Sequence, residues 1–262
     1  MPNLDLNKYG IPLILELSIE LREYPATDIE PTEAPIVLLI DENHLAQPAI
    51  DHSANIAAEF LQQFPEAPVV LEHFLAGETV PADQLGRHGG SDFHMKLCQS
   101  VNAELLGGDD HDGLMRMDEI TEDYEVRISE YLFDNRQLPE EERARETAHL
   151  KEESRLAIRN DPIQVIRSRS LIETSLQHLN INNRIGLLNC GLNHNNHIID
   201  NVLDEDSQPV CSRRKAINFI RIRPTKQLRQ LSAYYHWRDR GEPHGEDLVD
   251  WSWAEENVPG LN

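Results

Sequence analysis

VLLIDENH, residues 37–44, and GLLNCGLNH, residues 186–194, share one pattern. Each is a mainly apolar run of strand length, followed by a four-residue turn that closes on Asn-His. A strand that lacks polar alternation is buried on both faces, and such strands belong to parallel sheets covered by helices on either side. Ile36 extends the first run to IVLLI, 36–40, and RIGLLNC, 184–190, is the second. Three further runs read the same way: PVVLEH at 68–73, ELLGG at 104–108, and AINFIRI at 216–222.

The segments between these runs have helical period. Ile50, Ala54, Ala57, Leu61 and Phe64 form one stripe over 48–64, and Pro65 and Pro68 end it. The stretch 114–160 reads as helices, with a stripe through Leu114, Met117, Ile120, Tyr124, Ile128 and Tyr131. Pro139 followed by three Glu marks a helix first turn, where negative charge suits the dipole. Asp161-Pro162 opens a further helix to about 179, with a buried stripe drawn through Val165, Arg169, Ile172, Leu176 and Leu179. Residues 74–90 read as a Gly-rich loop, 92–104 as a helix, 25–35 as a Pro-rich connector, and 11–22 as a strand or hairpin arm. Strands alternating with helices predict an α/β fold with a mainly parallel central sheet flanked by helices. The expected organisation is a single core: a domain over 1–223 (core about 36–223, helical insertion about 112–180) and a C-terminal extension over 224–262.

The composition narrows the function classes. Hydrophobic residues make up 39% of the chain, enough for a sizeable core, and charged residues 27%. Lys and Arg number 24 against 46 Asp and Glu, a net charge of −22. Such a surface repels phosphate backbones and anionic lipid, so neither a nucleic-acid nor a membrane partner is expected. Solubility is the plain reading of the charge, and an acidic face that docks a basic partner is the alternative. Cys98, Cys190 and Cys211 are odd in number and widely spaced, which implies neither a disulfide framework nor a thiolate zinc site. A reducing, cytoplasmic setting is the expectation. The N-terminal stretch lacks a basic region and a small-residue cleavage site, so no signal peptide is read there.

Ligand sites in open α/β sheets form beyond the carboxyl ends of the strands. His44 and His194 both follow such ends, and if their strands are neighbours the two imidazoles converge on one pocket. The alternative is two unrelated turn histidines. Glu42 and Glu72 lie at strand ends, where a carboxylate is costly unless paired or used. Asp109, Asp110 and His111 end a third strand. An Arg on the buried side of the 162–179 helix needs an acidic partner, which Glu42 or Glu72 can supply, either as a structural ion pair or as part of a site. His52, His73, His88 and His94 read as surface or packing residues. No nucleophile elbow, P-loop, dinucleotide fingerprint or HExxH is present in the sequence.

A strand ending in a turn that closes on His, a later strand ending in Leu-Glu, a helix carrying Arg, and a near-terminal strand ending in GxxH together resemble the Tiki/TraB superfamily. That group includes Tiki-type metalloproteases, ChaN-type haem-uptake proteins and erythromycin esterases. VLLIDENHLAQPAIDHSANIAAEFL resembles the ChaN branch in particular. The resemblance runs in order over about 36–223, with Asp41 standing where the first motif has glycine. It places the two histidine motifs on Asp41-Glu42-Asn43-His44 and Gly191-Leu192-Asn193-His194, the strand acid on Glu72, and the helix Arg on Arg167 or Arg169.

These readings predict a hydrolase of peptide or ester bonds. His44 and His194 would bind a divalent ion or serve as general base, Glu42 and Glu72 would orient them or activate water, and Arg167 or Arg169 would stabilise negative charge. The ligand set His44, His194 and Glu72 suits Zn or Mn. Two other expectations stand beside this one: a non-catalytic binder of haem or another ligand, and an acidic interaction module that retains a relic site. The aromatics Tyr234, Tyr235, Trp237, Trp251 and Trp253 predict that 231–262 is ordered, packing on the domain, capping the pocket, or joining a second subunit or protein partner.

Overall fold

The computed structural model describes residues 3–12, 14–16, 19–42, 47–80, 105–179, 184–191, 194, 198, 216–224, 233, 249, 252 and 253. His44, the 92–104 helix, most of the 74–90 loop and nearly all of the aromatic segment 231–262 lie outside the described residues.

The chain builds a small two-stranded antiparallel sheet from β1 (Asn3–Asp5) and β2 (Ile14–Glu16). The main sheet uses β3 (Ile19–Tyr24), β4 (Ile36–Glu42), β5 (Val69–Leu75), β6 (Leu105–Asp109), β7 (Ile185–Gly191) and β8 (Asn218–Pro224). Their spatial order is β3-β8-β4-β7-β5-β6. All neighbours in it are parallel except β3, which runs antiparallel to β8 at one edge. The expected mainly parallel α/β sheet is therefore observed. The 11–22 arm resolves into two strands that belong to different sheets.

Among the described residues four α-helices cover or extend this sheet: α1 (Gln47–Gln63), α2 (His111–Asp134), α3 (Glu140–Asn160) and α4 (Ile163–Gln177). Alternation along each strand divides the core into two layers. Ile36, Leu38, Ile40, Val69, Leu71, Leu187, Ile220 and Ile222 face α1, whose Ala57, Phe60 and Leu61 are fully buried against them. Val37, Leu39, Val70, Leu106, Leu188, Cys190 and Phe219 face the other way, onto Leu171, Ile172 and Leu176 of α4. Within the expected helical insertion, α4 thus serves as a covering helix of the sheet. Helices α2 and α3 pair with each other as a hairpin and meet the rest of the domain mainly through α4.

Buried polar anchors tie the Pro-rich connector to this core. Asn218 is fully buried at the start of β8; its Nδ2 donates to the Pro31 and Ala34 carbonyls, and its Oδ1 accepts from the Ala26 amide. Arg184, just before β7, donates to the carbonyls of Tyr9, Thr32 and Ala34. Each contact satisfies a loop backbone group that has no sheet partner of its own.

Candidate functional site

Strands β4 and β7 are parallel neighbours, and Glu42 stands in register with Gly191. The chain therefore leaves the sheet at the same edge on its way into both histidine motifs. The register sets Glu42, rather than Asp41, opposite the first residue of GLNH. Strand β5 lies on the other side of β7 and brings Glu72 to this edge, with Asp109 following at the end of β6.

Glu72, 6% exposed, is the centre of the site. Its Oε2 accepts from the Gly191 amide at 2.7 Å, so the first residue of the second motif acts through its backbone. Its Oε1 lies 3.1 Å from Nη2 of Arg167, 3.1 Å from Nε2 of His194 and 3.6 Å from Nε2 of His73. Arg167 reaches up from α4 and is itself 1% exposed. It forks onto Asp109, with Nε donating to Oδ1 at 2.7 Å and Nη2 to Oδ2 at 2.6 Å. Its Nη1 donates to Oε1 of Gln164 and contacts Sδ of Met117. Every one of the guanidinium's five donors is thereby engaged. Burial by itself lowers the Arg167 pKa. The Asp109 hydrogen bonds and the charges of Glu72 and Asp109 outweigh it and raise the pKa above its ordinary value.

A small residue makes room for this fork. Gly113 sits in the first turn of α2, where a Cβ would fall 2.4 Å from Cγ of Arg167 and 3.0 Å from its Cδ. The turn is held by Asp110, whose Oδ1 accepts from the Gly113 amide. Asp110 is the N-cap of α2 and Asp109 the partner of Arg167, so the acidic pair ending β6 divides between two tasks.

His194 is buried, with a contact on each ring nitrogen. Nε2 faces Glu72, and Nδ1 lies 2.8 Å from Oγ of Ser168 on α4. Ser168 also donates to the Gln164 carbonyl at 2.7 Å. The hydroxyl has one proton for these two acceptors. When it donates to Gln164 it accepts from Nδ1–H, and when it turns to His194 it donates to a bare Nδ1. The rotor therefore satisfies His194 with either one or two protons. With both nitrogens engaged, His194 acts through Glu72 and Ser168.

His73 is the residue that sequence reasoning set aside. Its φ is +70°, inside a strand whose register slips between Leu71 and Leu75. The left-handed region is costly for a side chain with a Cβ, and such strain persists only where surrounding contacts impose it. Here the His73 amide donates to Oδ2 of Asp109 at 2.9 Å. That bond turns the chain so that the imidazole lies beside Glu72 with its side chain 18% exposed, the most open position in the network. Nothing in the local pattern VVLEH signals this bulge.

The other expected site residues fall as follows. Arg167 faces the site and Arg169 is exposed, so the buried stripe of α4 runs through Gln164, Arg167, Ser168, Leu171 and Ile172. Glu42 ends β4 beside the site in backbone register, and His44 lies outside the described residues. A different potential ligand set emerges: atoms of Glu72, His73 and Asp109 lie within 4.8 Å of one another. These donor types suit Zn or Mn. A cation placed among them would share both carboxylates with the guanidinium of Arg167, so the charge balance weighs against it.

One family model matches the chain, described as a protein of unknown function (DUF2934), over residues 230–259. It covers only the C-terminal segment and none of the site. Searches of curated proteins and of solved structures return no match. Among the described residues no helix is long and apolar enough to cross a membrane.

Proposed function

We propose that the chain is a hydrolase of ester or peptide bonds, with its site at the carboxyl ends of β4, β7, β5 and β6. The observation that carries this reading is Glu72, a buried carboxylate where the regular pairing of β5 stops, shared by one guanidinium and two imidazoles. Two carboxylates and an arginine buried together stabilise a fold less well than apolar side chains of similar volume. Their position at the sheet's ligand-binding edge, beside a strained histidine, fits a catalytic use. The resemblance to the Tiki/TraB superfamily supports bond hydrolysis.

In this reading His73 takes a proton from water while Glu72 balances the charge that develops on the imidazole. The oxygen of that water attacks the carbonyl carbon, and the proton passes to the leaving alcohol or amine. His194, Ser168 and Arg167 are positioning residues that fix Glu72, and His44 of the DENH turn is the candidate second imidazole. A second reading, favoured by the closeness of the Glu72, His73 and Asp109 ligand atoms, places a Zn or Mn ion there to activate the water. The ChaN-like alternative, a haem binder, has a separate signature in visible absorbance.

The test is a panel of activated esters and short peptides, run with the purified protein before and after chelation and with added Zn or Mn. Turnover is expected from the wild type. It should fall about 100-fold or more in His73→Asn, whose side chain tolerates positive φ. Loss on chelation with recovery on Zn or Mn selects the metal reading. A folded wild-type protein that turns over nothing in the panel, with or without metal, overturns the hydrolase reading, and bound haem in the same sample would replace it.

A further inference from the structure

The solvent face of α2 carries apolar side chains that remain exposed among the described residues. Met115 is 51% exposed, Val126 56% and Phe133 68%. They are spaced by 11 and 7 residues, and at about 100° per residue this sets them within about 20° of one line. The opposite face holds buried Ile120 and half-buried Tyr124, Ile128 and Tyr131, and there Arg127 lies over Tyr124 and pairs with Glu153 of α3. Among the described residues the inner seam of α2 packs and the outer line stays exposed, with Arg136 lying over the Phe133 ring at its C-terminal end. The outer line spans about 27 Å, the length of five helical turns.

Charge determines what can cover it. Helix α2 holds eight acidic and two basic residues. Asp118, Glu119 and Glu130 flank the apolar line and Glu122 falls on it between Met115 and Val126, all exposed, and no Lys or Arg of the helix itself stands among them. Arg116, at the margin, is paired with Glu119 and Asp161. A second copy of this face would set acid against acid, and anionic lipid or nucleic acid would be repelled. An amphipathic helix with Lys or Arg beside its apolar stripe complements both features.

We propose that the outer face of α2 is a docking surface for a basic amphipathic helix of another protein, laid along Met115, Val126 and Phe133. The surface is independent of the Glu72 site and of whether that site is catalytic.

The probe is a synthetic helix of about five turns with leucine along one stripe and lysine elsewhere. Controls are a peptide with the leucines replaced by serine and one with the lysines replaced by glutamate. Binding to the full chain is followed by fluorescence anisotropy and calorimetry. One-to-one binding of the Leu/Lys peptide is expected, weakened by salt. Val126→Ser with Phe133→Ser should weaken it about tenfold or more, and Glu122→Lys should weaken it as well. The serine-stripe peptide should bind weakly and be indifferent to Val126→Ser/Phe133→Ser. All variants are on the surface, and circular dichroism checks that they fold. Equal binding of the leucine and serine peptides, or no effect of Val126→Ser/Phe133→Ser, would reduce the interaction to plain charge attraction and overturn the proposal. Self-association of the wild type that Phe133→Ser abolishes would overturn it in favour of a second copy.

Discussion

Arg167 is the residue on which the network balances. Removing it leaves two buried carboxylates without their cation, a change that typically costs about 3–5 kcal/mol. Arg167→Met should therefore lower the melting temperature by roughly 10 °C in a domain of this size. Arg167→Lys should recover only part of the loss, because an ammonium cannot reproduce the fork onto Asp109. The raised pKa of Arg167 means that its stabilisation is complete below the unfolded-state value and is lost only in strong alkali. The gap between wild type and Arg167→Met should accordingly stay constant from neutral to mildly alkaline pH, as read by denaturant titration. At His73 the backbone makes a sharper test. A strand normally prefers Ala to Gly, but at φ +70° the order should invert, with His73→Gly more stable than His73→Ala by about 1 kcal/mol. Chemical denaturation of the two variants checks this, and the ordinary order would show that no strain resides there.

At the scale of elements, Asn218 and Gly113 hold separate pieces in place. Asn218→Ala leaves the Ala26 amide and the Pro31 carbonyl without a side-chain partner, and a loss of about 1–3 kcal/mol is expected in denaturant unfolding. The central strands and α1 were legible in the sequence, because IVLLI and IGLL are apolar runs and Ala54, Ala57 and Leu61 keep strict helical spacing. The neighbourhood of β4 and β7 was legible through their matching DENH and GLNH turns. The phase of α4 was not. Its buried face is interrupted by Gln164, Arg167, Ser168 and Ser175, polar residues satisfied by one another, by backbone, or by Asp109, Glu72 and His194, so an apolar stripe drawn by period shifted onto Arg169. The role of His73 was hidden for a different reason. It depends on a bond to Asp109 from a neighbouring strand, and no local pattern encodes a bulge imposed from 36 residues away.

For the whole molecule, a net charge of −22 means that the folded chain repels itself. Raising ionic strength from about 10 mM to 150 mM shortens the Debye length from about 30 Å to 8 Å, so the melting temperature should rise with sodium chloride. A fall would mean that attractive surface pairs such as Arg127–Glu153 outweigh the repulsion. The Glu72 network is buried and should respond little, which separates surface charge from site charge. In the proposed hydrolytic site, Glu72 orients the imidazoles as well as neutralising a buried arginine. The most direct test of this role is the turnover of Glu72→Gln, a change that keeps side-chain shape and removes the charge, measured beside its unfolding free energy. The expected result is a folded protein whose kcat/KM falls about 100-fold or more on any ester or peptide the wild type cleaves. A folded Glu72→Gln protein with wild-type turnover would contradict that role.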